Sequence, residues 1–269
     1  MLLRHPFALL ALAAALSAAA PARAQQSEPA TEATWQELKP DVFGERAVEA
    51  QSPLIRLTAP VRAEDAAMVP IEVAVTLPPG DARTIVKLTL IVDENPAPVA
   101  ATFRFGPQRH ELTLGTRLRV NSYSYIRAIA ETSDGGLHMA ARFVKASGGC
   151  SAPASKDEEV ALKNLGQMKL KLAADANASK VSRVQLMIRH PNYSGLQMDQ
   201  VTRLYVPAMY VNHIVARQGE ALIFEMEGGI SISEDPNIQV SYEPTGQSLN
   251  VDAGDTQGRA FKGAASPAG

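Results

Sequence analysis

The feature that most constrains this chain is a two-residue alternation of apolar and polar side chains. It recurs through most of residues 70–242 and is punctuated by Gly and Pro. Ile71, Val73, Val75 and Leu77 alternate with Glu72, Ala74 and Thr76 until Pro78-Pro79-Gly80. Such a pattern puts every second side chain on one face and reads as a half-buried strand. Val86–Val92, Ala101–Phe105, Leu112–Val120 (around Gly115), Tyr125–Thr132 and Leu137–Val144 continue it, the last two flanking a hairpin signal at Asp134-Gly135-Gly136. A second series runs through Met168–Leu172, Val184–Ile188, Tyr205–Val215, Ala221–Met226, Ile230–Ser233 and Ile238–Tyr242. Helical spacing is nearly absent, and Trp35–Val42 allows one turn before Pro40 interrupts it. Short strands in two blocks of about 100–120 residues predict an all-β chain of two immunoglobulin-like β-sandwich domains joined by a flexible linker. Neither block has the paired cysteines of an antibody domain, so the architecture follows but the strand topology does not.

Charge and cysteine usage exclude several functions. The chain of 269 residues carries 26 basic and 28 acidic residues, so it lacks the basic excess of a nucleic-acid binder. One cysteine leaves no internal disulfide framework, Cys-based zinc site or iron–sulfur cluster. Residues 1–24 have the form of a secretory signal: Arg4 and His5, then the Leu9–Ala20 run, then Ala22-Arg23-Ala24 as the cleavage site. The run is too short to span a bilayer, and no other segment is apolar enough. The expected product, residues 25–269, is exported, most simply to a bacterial periplasm, with no membrane anchor. An unpaired thiol is conspicuous in that oxidising compartment.

That thiol is Cys150, in the stretch Lys145-Ala-Ser-Gly-Gly-Cys-Ser-Ala-Pro-Ala-Ser-Lys156 between the two blocks. The stretch offers almost no apolar side chain to bury, so it is expected to be mobile and solvated. Gly148 and Gly149 are expected to act as hinge and clearance beside the sulfur. Six residue steps separate Val144 from Cys150, a reach of at most about 20 Å. On this reading Cys150 is a thiol on a tether, with a pKa near the free value of about 8.5 and covalent chemistry available when a partner activates it.

Catalytic and metal motifs are weak by comparison. A cysteine hydrolase needs a base held against the sulfur, and an unfixed arm holds none of His110, His138, His190 and His213 in place. His138 alternates with Leu137 and Met139 and is expected to face solvent, whereas His190-Pro191 shapes a turn. The nearest following His is forty residues beyond Cys150, too far for a blue-copper loop. No phosphate-binding loop or paired-His helix occurs. Asp252, Gly254 and Asp255 read as a polar hairpin turn rather than a calcium loop. No cofactor, no metal site and no enzyme activity are expected.

The first block resembles SoxY, the sulfur-carrying subunit of the SoxYZ complex of bacterial thiosulfate oxidation. The resemblance rests on Ile55-Arg-Leu-Thr-Ala-Pro60, Ala63-Glu-Asp65 to Val69-Pro-Ile71, Asn95-Pro-Ala-Pro98, Ser133-Asp-Gly135 and Gly148-Gly149-Cys150. The second block is similar to SoxZ through Ile188-Arg-His-Pro191 and Tyr205-Val-Pro-Ala208. The order matches the fused SoxYZ-like group associated with quinoprotein dehydrogenases. The resemblance implies a periplasmic, non-catalytic carrier holding thiosulfate-derived or related sulfur intermediates on Cys150. Its partners would be periplasmic sulfur-oxidation enzymes and a quinoprotein dehydrogenase system. The implied division is a signal at 1–24, a SoxY-like domain at 25–147, a carrier loop and linker at 148–164 and a SoxZ-like domain at 165–269. In the family the cysteine lies in a Gly-Gly-Cys-Gly-Gly chain end, whereas Ser151 and Ala152 follow it here and the chain continues. Such a loop must enter a partner doubled, two backbone widths of about 5 Å each. The rival reading is a periplasmic adaptor whose sheet edges bind partners.

Overall fold

The computed structural model of the chain describes residues 32–153, 158–174 and 181–266. The expected signal, residues 1–24, lies outside them. The first half contains helix α1 (Glu32–Phe43) and strands β1 (Val48–Ala50), β2 (Ile55–Thr58), β3 (Val69–Thr76), β4 (Ile85–Val92), β5 (Val99–Phe105), β6 (Glu111–Leu118), β7 (Ser124–Thr132) and β8 (Leu137–Val144). After the short helix α2 (Glu158–Lys163), the second half contains β9 (Met168–Ala174), β10 (Ser182–Ile188), β11 (Val211–Gln218), β12 (Ala221–Gly228), β13 (Asn237–Tyr242), β14 (Leu249–Asp255) and β15 (Ala260–Ala265). The chain is all-β in two layers, as its alternation predicts.

The alternation does what it must. Val69, Ile71, Val73 and Val75 of β3 turn inward while Pro70, Glu72 and Thr76 stay outside. Each buried branched side chain contributes about 1.5–3 kcal/mol of transfer free energy. β4 is different: Leu88, Leu90 and Val92 face the inter-sheet core, and Ile91 faces a second cluster with Trp35, Phe43, Ile129, Leu137 and Met139. α1 makes that second cluster by lying on the outer face of the sheet. It runs through Pro40 to Phe43 and ends at Gly44, whose N–H bonds the Pro40 carbonyl at 2.9 Å with φ +62°. A single turn was expected there. Burial of Trp35 and Phe43 holds a full helix in spite of the proline. Beneath Trp35, Arg127 makes three hydrogen bonds to the buried carboxylate of Asp93 and stacks on the indole at 4.7 Å.

The two β-sandwich domains expected from the sequence are present, and they join edge to edge. One sheet has the order β1-β8-β7-β4-β5-β12-β11-β14-β15 and the other β2-β3-β6-β13-β10-β9. Both therefore cross from the first half to the second, through β5–β12 (Phe103 opposite Met226, Phe105 opposite Phe224) and β6–β13 (Leu114 opposite Val240). A single apolar core runs across this seam, with Phe103 and Phe224 rings 6.0 Å apart. Gly106 is required at the end of β5, because a Cβ there would lie 2.4 Å from the Leu222 carbonyl oxygen. Arg109 crosses the seam to donate to the carbonyls of Ser241 and Ile223. Its burial lowers its pKa to about 10.

Three stretches depart from the sequence reading. Asp252–Asp255 belongs to strand β14 rather than to a turn, and the Asp255 side chain is fully buried. Residues 205–210 and 230–233 are not strands; they make isolated bridges, Met198–Tyr205, Tyr193–Met209 and Leu118–Ile232. Pro207, and Gly229 just beyond β12, interrupt regular pairing there.

Candidate functional site

The site is built where β8 hands the chain to the seam. Lys145 is tied to Arg62 by a parallel bridge, with the Lys145 N–H on the Val61 carbonyl at 2.9 Å. Gly148 then turns the backbone at φ +79°, a left-handed value that glycine takes without a Cβ clash. From there the segment runs back along residues 119–121. The Gly148 N–H donates to the Asn121 carbonyl at 2.8 Å and the Gly149 N–H to the Val120 carbonyl at 3.0 Å. A Cβ on Gly149 would sit 2.1 Å from the Ala66 carbonyl oxygen and 2.7 Å from that of Val120. The missing side chain is what lets this backbone seat itself.

Cys150 is therefore not displayed. Its residue is 0% exposed, and this corrects the expectation of a solvated, mobile thiol. The expectation failed because a linker of small residues offers little side chain to bury yet has backbone groups, and these found partners. Gly148 serves as a fixed turn and Gly149 as clearance for a docked backbone; residues 154–157 of the linker lie outside the described residues.

The second half supplies the other wall. The Ser194 hydroxyl donates to the Cys150 carbonyl at 2.5 Å, and Arg119 donates through Nη1 to the Gly149 carbonyl (3.1 Å) and through Nη2 to the Asn192 carbonyl (3.2 Å). Arg119 is itself held by Asn95, whose Nδ2 donates to the Arg119 carbonyl and whose Oδ1 accepts from the Asn121 N–H, each at 2.8 Å. Asn192, at φ +46°, is fixed by its own N–H on His190 Nδ1 (3.0 Å) and by the Val211 N–H on its Oδ1 (3.1 Å). Since His190 Nδ1 accepts, its proton sits on Nε2 and points at Asp255 Oδ2, 3.3 Å away. Asp255 also meets Arg259 at 3.2 Å.

Electrostatics follow from the burial. Loss of water pushes the Cys150 thiol up to about 11, against an opposing pull from the Arg119 guanidinium. Docked, the sulfur is a protonated thiol. Burial also lowers the pKa of Arg119 and of His190, the latter against its bond to Asp255.

No histidine reaches the sulfur by any bond described. His138, expected at the surface, is buried, with Nδ1 2.7 Å from Glu49 and 3.1 Å from the Ser52 hydroxyl. Both partners share one ring nitrogen, so the trio ties the β1–β2 turn to β8 and is not arranged as a nucleophile–base relay. His213 faces Glu225 at 3.8 Å, and His110 is exposed at the seam. Among the described residues no three His, Cys, Asp or Glu gather to hold a metal. Sequence reasoning missed Arg119, Asn95, Asn192 and Ser194. A signal existed for the first: an arginine between Leu118 and Val120 breaks an apolar stretch.

The family model of sulfur oxidation protein SoxY matches residues 39–150, and that of sulphur oxidation protein SoxZ matches residues 168–266. No curated protein matches the chain. Among solved structures, the sulfur carrier protein SoxY from Chlorobium limicola f thiosulfatophilum is 24% identical, with 42% of this chain and 91% of that chain covered and a TM-score of 0.34. A superoxide reductase (neelaredoxin) from Ignicoccus hospitalis is 18% identical, covering 39% of this chain and 98% of that one, with a TM-score of 0.32. The two family matches meet at the docked segment, the first closing on Cys150 and the second containing Asn192 and Ser194. The chain thus belongs to the sulfur-oxidation proteins as a fused SoxYZ-like member, with SoxY and SoxZ domains in one polypeptide.

Proposed function

We propose that this protein is a covalent sulfur carrier in which Cys150 accepts thiosulfate-derived or related sulfur groups and presents them to partner enzymes. The observation that supports it best is how the Gly148-Gly149-Cys150 segment is held. Four hydrogen bonds, from two backbone N–H groups and to two carbonyls, dock it across the boundary of the SoxY and SoxZ domains. At about 0.5–1.5 kcal/mol net for each bond, undocking costs roughly 2–6 kcal/mol, so an exposed state is minor but populated. Docked, the thiol is protonated and shielded. Undocked, it returns towards the ordinary range of about 8.5 and forms enough thiolate to exchange. The carrier performs no turnover alone. Residues 1–24 direct it to the periplasm, where sulfur-oxidation enzymes and a quinoprotein dehydrogenase system are its partners.

Intact mass spectrometry of the protein purified without reductant from thiosulfate-grown source cells tests this. The expected result is a set of sulfur-spaced adducts that a reductant removes and that Cys150→Ser abolishes. A single unmodified mass, with Cys150→Ser cells oxidising thiosulfate normally, would overturn it. That outcome favours the adaptor reading, which draws on the exposed apolar tip formed by Val201, Leu204 and Tyr205 at 88%, 69% and 66% exposure.

A further inference from the structure

Arg119 is an expensive residue to bury. Its side chain is among the largest that are fully enclosed, at 1% exposure, and among the described residues it has no ion pair. Two of its nitrogens donate to carbonyls, while Nε is buried with no hydrogen-bond partner. Glu234, Asp65 and Cys150 act on it only at longer range, and the bond to the Gly149 carbonyl places the guanidinium one residue from the sulfur-bearing Cys150. A buried cation without a paired anion is costly, and one left with a free donor N–H more so. The neutral thiol does not satisfy it. An anion attached to that sulfur would.

We infer that Arg119 is the cargo-binding residue of the docked arm, selecting sulfur groups that end in a sulfonate-type anion over neutral ones. This rests on the carrier reading and deepens it by naming the class of cargo that the dock retains. A thiosulfonate on Cys150 brings three acceptor oxygens and a full negative charge to a guanidinium that has a donor to spare. Charge-assisted bonds of this kind are roughly twice as strong as neutral ones. A neutral disulfide or persulfide-like end gains nothing from the cation and only adds volume. Arg119 also spans both walls of the dock, so a charge that tightens it tightens the hold on Gly149 and Asn192 together.

The test loads two adducts of different charge on the full-length protein. In the first, the Cys150 thiolate attacks an inner sulfur of tetrathionate. A new S–S bond forms, the central S–S bond breaks, thiosulfate leaves with the electron pair and the thiol proton goes to solvent. In the second, methyl methanethiosulfonate transfers a neutral methylthio group and methanesulfinate leaves. Removal of each adduct by dithiothreitol is followed by intact mass in wild type and Arg119→Gln, each normalised to the same adduct on a denatured sample. In wild type the anionic adduct is expected to be shielded about tenfold more than the neutral one, the scale of one charged hydrogen bond. Arg119→Gln is expected to bring the two to equality. If Arg119→Gln fails to fold, Arg119→Lys, which keeps the charge and loses the fork, is expected to shield both adducts less, through the weakened hold on Gly149, and to keep only part of the discrimination between them. Equal shielding of both adducts in wild type overturns the assignment and leaves the carrier reading standing. If neither reagent modifies Cys150 in the native protein, the carrier reading itself fails.

Discussion

Gly149 is the residue on which the closed position of the thiol turns. An alanine there brings its Cβ to 2.1 Å from a backbone carbonyl that is itself bonded to the Val120 N–H, and such an atom has nowhere to go. Gly149→Ala is therefore expected to expel the segment and leave both sheets intact. Iodoacetamide labelling of Cys150 at neutral pH should accelerate at least about tenfold, since undocking no longer opposes the reaction. The pH dependence carries the same information. The docked thiol sits near 11, above its free value, so docking is favoured below about 8.5 and is progressively lost as pH rises towards 11. The labelling profile of wild type should have its midpoint between these values, and that of Gly149→Ala close to the lower one. Unchanged rate and midpoint in the variant would show that the dock does not control access. Of the docked segment, the cysteine and the two glycines stood out in the sequence by composition alone. Burial was hidden, because the backbone partners of Gly148, Gly149 and Cys150 lie at Asn121, at Val120 and Arg119, and at Ser194, which no local pattern connects.

Among the elements, the loop from His190 to Ser194 is the part of the dock that can titrate. His190 accepts the Asn192 N–H through Nδ1, so protonating that nitrogen removes the bond that fixes Asn192. Burial lowers the folded pKa of His190 below its ordinary value near 6.5. The folded state consequently takes up this proton less readily than the unfolded one. Its contribution to stability is whole above about pH 6.5 and is lost as pH falls towards the folded value. Asp255 and Arg259 on the β14–β15 side, and Asp235 on the His190 N–H, are the charges that face it. Thermal unfolding from pH 7.5 to pH 5 is expected to show a fall in wild type that is smaller in His190→Gln. Parallel curves would exclude His190 as the group responsible. Elements of this kind resist sequence reading for a definite reason. Residues 190–210 hold their shape by side-chain caps such as Gln197 on the Ser194 N–H, and not by a period of two or of 3.6. β3 and β6 were legible because one buried face imposes an alternation. β14 was masked by Asp252, Gly254 and Asp255, whose acidity reads as a turn although Asp255 is enclosed by backbone N–H groups of Gln257 and Arg259.

For the whole molecule, the seam matters more than the linker. Strand pairing at β5–β12 and β6–β13, with one core beneath both, means that neither half has a finished edge of its own. Co-expressed as two chains divided within residues 154–157, the halves are expected to elute from size exclusion as one 1:1 complex. Either half alone is expected to aggregate through its bare strand edge. Two separately stable, monomeric halves would contradict the continuity of the sheets. The sequence announced two blocks, and correctly so, but edge-to-edge union of β-sandwiches leaves no mark on alternation within a strand. It shows only as buried aromatic residues in the two joining strands, Phe103, Phe105 and Phe224. Strand pairing across the boundary in both sheets also opposes a bend between the halves. If Cys150 carries sulfur as proposed, a partner enzyme meets recognition surfaces that these ladders hold at constant spacing, and the freedom to deliver the cargo rests with a handful of torsions beside a single turn of chain.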